Sequence, residues 1–391
     1  MNFVKSKKLL SFIVLTQVIV WIAGCGSSTT QEKPSASPSS APFTANTANN
    51  ADDTGISNDA WDNYMKAARK EGVVTVAGSN SPDFRQKATE IMKEKYGITL
   101  EYLTLNNSEA IARIEREAAA KQTTIDVVVS GTTEIVKIPN LLERLDDKIV
   151  MPEVKDTSKW KNNELAWIDL KDKKEKTSLQ LTRYVYLTLW VNTKMIDPKT
   201  IKWADLLDPK YKGKIVSFDP RGSGQGQLAA MFLLNTFKED YINKLYVDQK
   251  VTYSNDGKQI AGWLANGTYP IAIGLLARDV STFLKEGLPI APVSPPDAPG
   301  FTNGKIVKII KQSPHPNAAV VFTNWLASKE GQQLFAKSFD DVSLRNDVDL
   351  AGIPEFLIPK QGVDYPDYAT EEFYVNVQPK AQKLLIDLLG R

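Results

Sequence analysis

Between Val73 and Val129 the chain alternates strand, helix, strand, helix and strand, an order that few folds accept. Val73–Ala77 is a short apolar run of strand type. Ser81 stands where a helix cap belongs, and Pro82 follows at the first helical position. Phe84, Ala88, Ile91 and Met92 then recur as one buried stripe, and Gly97 ends the helix. Ile98–Leu103 predicts a second strand, and Ser108 predicts the cap of a helix carrying Ile111, Ile114 and Ala118. Ile125–Val129 is almost continuously apolar, as a strand buried on both faces must be. Strands joined by helical crossovers pair in parallel, so this stretch predicts an open α/β sheet. A helix with Trp61, Tyr64, Met65 and Ala68 on one face, stopped at Gly72, precedes it.

A second α/β region follows. Tyr184–Val191 reads as one strand and Lys214–Phe218 as another, the latter entering a glycine-rich turn and a helix through Met231 and Phe237. Val251–Tyr253 predicts a short strand, and Asn255 or Asp256 caps a helix that reaches Leu264 and ends at Gly267. Tyr269–Leu275 reads as strand and Arg278–Glu286 as helix. Leu288–Gly300 is proline rich and extended, and Lys305–Ile310 is a further strand. One long helix is expected from Pro316 to Phe335, with Ala319, Phe322, Trp325 and Leu326 facing inward. The fold class is α/β, and the two regions could form two lobes.

The start of the chain belongs to neither region. Lys5, Lys7 and Lys8 precede an uncharged apolar run, Leu9–Ala23, and then Gly24 and Cys25, the only cysteine. Spanning a bilayer takes about 20 apolar residues, so the run is short for a membrane helix. Ile22-Ala23-Gly24-Cys25 resembles the lipobox of bacterial lipoproteins. That resemblance implies cleavage of residues 1–24, acylation of Cys25 and attachment to the outer face of the cell membrane. A retained signal anchor is the competing reading. Residues 25–60 are rich in Ser, Thr, Pro, Ala and Asn, too poor in large apolar groups to offset the entropy of ordering, and read as a disordered tether. The whole chain has 48 basic and 46 acidic residues, and without the three leader lysines the balance is 45 to 46. No net field draws nucleic acid. About 330 residues from Trp61 onward suffice for two cored domains.

Gly222-Ser223-Gly224-Gln225-Gly226 places free backbone N–H groups at a helix start, where Ser223 and Gln225 could add donors. The spacing matches neither a Walker loop nor a dinucleotide fingerprint, and simple chain reversal is the alternative. Ser79-Asn80-Ser81 and Ser130-Gly131-Thr132 follow the first and third strands, and Ser254-Asn255 holds the same kind of place in the second region. Ligands of open α/β sheets lie beyond the carboxyl ends of strands, so these residues are candidate donors as well as helix caps. Arg278 follows an apolar strand and could grip a carboxylate or phosphate, or lie solvated on its helix; Arg221 and Arg345 share that ambiguity. Tyr184 and Tyr186 face one side of a strand and could line a cleft or fill a core. His315, the only histidine, reads as turn structure between two prolines, and Asp146-Asp147 and Asp340-Asp341 read as solvated loops. No catalytic triad assembles easily, and no zinc spacing is present.

Trp203-Ala-Asp-Leu-Leu-Asp-Pro-Lys-Tyr-Lys-Gly-Lys-Ile215, Val191-Asn-Thr193, Ser313-Pro-His-Pro-Asn-Ala-Ala319 and Asn324-Trp-Leu-Ala-Ser-Lys-Glu-Gly-Gln332 are the specific stretches. Through them the chain from Trp61 to Arg391 resembles extracellular solute-binding proteins of ABC transporters, in the ferric-iron-type subgroup. The resemblance implies a two-lobed type 2 periplasmic-binding-protein-like fold, each lobe a mixed, mainly parallel sheet flanked by helices, with a ligand cleft between lobes. One lobe is expected to comprise 61–182 and about 293–391, the other 183–292, with linking segments near Thr182–Asn192 and Leu288–Gly300 and the C-terminal helices packed on either lobe. It also implies closure around a solute, delivery to an ABC permease and its ATPase, a monomer, no cofactor and no catalysis. Ferric-binding members carry adjacent tyrosines where this chain has Leu275-Leu276-Ala277-Arg278. The expected solute is therefore a small anion held by Ser79, Ser130, Ser223, Gln225 and Arg278, with ferric iron, an enzyme and a scaffold lipoprotein as alternatives.

Overall fold

The computed structural model describes residues 59–132, 137–222 and 224–390. The leader, Cys25, almost all of the tether and Ser223 lie outside the described residues. Helix α1 (Asp59–Glu71) leads into strand β1 (Val73–Gly78), which pairs in parallel with β2 (Thr99–Thr104) and with β3 (Val127–Ser130). Strand β12 (Ile306–Ile309), antiparallel to β3, and β4 (Leu179–Gln180), antiparallel to β12, complete a five-stranded sheet of order β2-β1-β3-β12-β4. Its two faces carry different cores. Phe84 of α2 (Pro82–Ile91), Ala68 of α1 and Phe322 and Trp325 of α7 (Pro316–Ala327) pack on one. Ile111 and Ile114 of α3 (Asn107–Ala119) pack on the other, beneath Val128 and Ile306. Burial on both faces is why β1 and β3 have so few polar residues.

The cap of α3 is Asn106 rather than Ser108. The Asn106 side chain accepts from Glu109 N and the Glu109 carboxylate accepts from Asn106 N, a reciprocal pair that Ser108, already inside the first turn, cannot make. The single helix expected over Pro316–Phe335 is two, α7 and α8 (Lys329–Phe339), broken at Ser328. Ser328 takes extended backbone, donates to Trp325 O at 2.6 Å and accepts from Gly331 N at 3.2 Å.

The second sheet has the order β10-β6-β9-β7-β8, formed by β6 (Leu189–Asn192), β7 (Ile215–Phe218), β8 (Thr252–Ser254), β9 (Ile271–Ile273) and β10 (Ile290–Val293). Strands β7, β8 and β9 run parallel; β6 runs against them and pairs antiparallel with both β9 and β10. One face packs against α4 (Gln225–Ile242), the other against α5 (Gly257–Ala265) and α6 (Ala277–Lys285). Ala381 and Leu385 of the last helix, α9 (Gln378–Leu389), join the α4 core, so the C-terminal helix sits on this second lobe.

The strand expected over Tyr184–Val191 is also divided. Tyr184–Tyr186 forms β5, which leaves the first sheet and pairs antiparallel with β11 (Phe301–Asn303) on the way back from the second. At Gly304, a Cβ would lie 1.9 Å from the Thr182 carbonyl oxygen, so only glycine permits this approach of the two crossing chains. Two α/β lobes joined by crossing strands are thus present within one compact unit. Among the described residues no helix is long and apolar enough to cross a membrane.

Candidate functional site

Beside the crossing strands lies a cleft of about 270 Å³. The first lobe contributes Ser79 and Asn80 after β1, Lys305 before β12, and Ser338–Asp341 at the end of α8. The second lobe contributes Trp190 and the turn Leu275–Arg278, while Tyr184–Leu187 and Phe356–Leu357 fill the remaining wall. Each rim has a local cause. The Tyr102 hydroxyl occupies the space a Cβ on Gly78 would need, 2.3 Å away, and donates to Ser79 O at 2.9 Å. Ser81, 8% exposed, caps α2 and donates to Ser338 O at 3.2 Å, tying the end of α8 to the start of α2.

On the second lobe the glycine-rich turn acts through packing. A Cβ on Gly226 would lie 2.6 Å from Asp219 O, and Gly274 takes φ 87 beside Phe218 and Gly226. These approaches bring Gln225 to α6, where its amide donates to Asp279 Oδ2 at 2.9 Å and its carbonyl oxygen accepts from Arg278 Nη2 at 3.1 Å. The Arg278 side chain remains 75% exposed at the cleft. Asp279 also accepts from Leu276 N at the electropositive start of α6, and its Oδ1 lies 3.9 Å from Arg278 Nε.

Lys305 Nζ donates to Ser79 Oγ at 3.4 Å. Asp341, expected to be solvated, is 5% exposed and accepts from Thr182 Oγ1 at 3.2 Å. Burial pushes its carboxyl up to about 6, against the pull of Lys305. Burial also raises the Tyr184 and Tyr186 hydroxyls. The Tyr186 hydroxyl donates to Gly274 O at 3.1 Å, with Gln225 O at 3.3 Å. A phenol so held is a poor source of phenolate, and among the described residues no group of three or more His, Cys, Asp or Glu could hold a metal.

The other candidates lie away from the cleft lining. Ser130 accepts from the buried Lys308 ammonium at 3.0 Å, and Gly131 O accepts from the same group. Thr132 is wholly buried and donates to Ala369 O at 2.6 Å. Arg221 forks onto Asp219 at 2.8 and 2.7 Å and lies 5.0 Å over the Tyr253 ring. Ser254 donates to Gln259 Oε1 at 2.7 Å, and Asn255 is exposed in the turn beyond β8. Arg345 is buried against Trp160 and paired at 2.9 Å with half-buried Asp347. The imidazole of His315 meets wholly buried Asp126 at 3.0 Å, while Ser313 donates to the same carboxylate at 2.5 Å. Serine, histidine and aspartate do meet there. The serine bonds the carboxylate and not the imidazole, so the group locks a turn rather than activating a nucleophile.

Residues 86–357 match the family model of bacterial extracellular solute-binding proteins. The chain belongs to that family. This solute-binding protein is 24% identical over 331 residues to an uncharacterized protein of Haemophilus influenzae, covering 81% of this chain and 90% of the relative. Among solved structures, it is similar to the periplasmic binding protein AfuA of Actinobacillus pleuropneumoniae with fructose-6-phosphate bound, at TM-score 0.60 and 21% identity, covering 81% and 98% of the two chains. A Trichodesmium protein, IdiA or FutA, in complex with iron and citrate gives TM-score 0.62 and 18% identity, covering 81% and 99%. The family this chain belongs to binds solutes outside the cytoplasm and is not a family of enzymes. Lys305, Asp341 and Phe356 line the cleft without having been expected there. Only the chain crossings bring them to Ser79 and Arg278, and no local pattern marks them.

Proposed function

We propose that this solute-binding protein captures a small anionic solute in the cleft and delivers it to an ABC permease by closure of its lobes. The Arg278 guanidinium, largely exposed at the cleft and steered by Gln225, carries the reading. Lys305, Ser79 and Asn80 supply further donors from the opposite lobe. Fructose-6-phosphate and citrate, bound by two proteins of the same fold, are anions of this kind. Acylated Cys25 and the tether would hold the receptor beside its permease, since one buried acyl chain binds a membrane marginally and two bind it stably.

Calorimetry on the mature protein tests the reading with phosphate esters, carboxylates and ferric iron. Arg278→Ala should weaken an anion about tenfold, the loss expected for one charge-assisted hydrogen bond. Tight binding of ferric iron without any added anion, unaffected by Arg278→Ala, would overturn it.

A further inference from the structure

We infer that the preferred solute is an anion with a flat apolar body rather than a polyhydroxylated one; this rests on the anion reading above. Among the side chains lining the cleft, Leu276, Phe339, Phe356 and the ring of Tyr184 are half-buried carbon surface. Phe356 is held edge-on against Trp190 at 5.6 Å, so its ring presents a fixed surface. Apolar surface in a concave site gains most from an occupant that displaces water over its whole face. A polyol would need a partner for each hydroxyl, and an unpaired hydroxyl in such a site is costly. The neutral polar side chains Ser79, Asn80 and Ser338 all stand on the first-lobe rim, whereas the second lobe offers carbon surface up to Arg278. A cavity of about 270 Å³ is at the small end for ligand sites, which suits one ring and one charged group.

The test is calorimetry on the full mature chain with charge-matched pairs: phenyl phosphate against glucose 6-phosphate, and benzoate against gluconate. The aryl member of each pair should bind about tenfold tighter or better, the gain expected from burying one ring. Phe356→Ser should weaken phenyl phosphate and benzoate about tenfold and so erase that preference. Leu276→Ser, on a different element, gives the same readout should Phe356→Ser fail to fold. Equal or tighter binding of the polyhydroxylated members, still weakened by Arg278→Ala, overturns the apolar body and leaves the anion reading standing. No binding of any of the four anions overturns both.

Discussion

Asp341 places a carboxyl at the rim of a cleft that also holds Arg278 and Lys305. Its environment decides its charge. Burial raises it to about 6, neighbouring Asp340 adds to the rise, and Lys305 and the Thr182 hydroxyl oppose it. The folded chain therefore holds an extra proton between the ordinary aspartate value and about 6. Stability should fall as pH rises through that window and stay low above it. Asp341→Asn keeps the acceptor for Thr182 and removes the charge. Its melting temperature should exceed that of the parent at about pH 7.5, with the difference shrinking toward about pH 4. A pH-independent difference would assign the effect to packing. Anion affinity should likewise rise on acidification through about 6 in the parent but not in the variant. None of this is legible from Asp340-Asp341 as text, because an acidic pair after a helix reads as solvent-facing until tertiary contacts bury one member.

At the scale of elements, most strands and helices were legible because apolar spacing and caps are local. Ser81 at α2, Asp256 at α5 and Gly97 after α2 each stand where their hydrogen bonds require. The failures were breaks. Tyr184–Val191 is continuous in hydrophobicity, yet the backbone leaves one sheet and enters another inside it. The α7–α8 break has a local signal that periodicity hides: Ser328 caps α8, and a Cβ on Gly331 would lie 2.1 Å from Trp325 O. Gly331→Ala should push the two helices apart and cost roughly 1–3 kcal/mol, as overpacking does. Chemical denaturation checks it; an unchanged midpoint would show that the corner has room to relax.

Among the described residues two five-stranded sheets are joined through the β5–β11 pair, with Arg278 and Lys305 from the two lobes lining one cleft. A solute that bridges Arg278 and Lys305 should draw the lobes together. Small-angle scattering on the tether-free protein should therefore show a smaller radius of gyration with saturating solute, and melting should rise by about 2.7 kcal/mol of added stability at one hundred times the dissociation constant. Stabilisation without compaction would argue for a cleft already closed. By itself the sequence determined the α/β class, the alternation that makes parallel sheets, and the motif stretches of the solute-binding family, since these rest on periodicity and short-range hydrogen bonding. Only the tertiary structure decided which of the candidate donors meet. Arg278, held by Gln225, shares one cleft with Ser79 through chain crossings far apart in sequence, while Ser130, Thr132 and Arg221 spend their hydrogen bonds elsewhere. The reason is that a donor's partner is set by three-dimensional proximity, and crossing strands create proximities that no local spacing encodes.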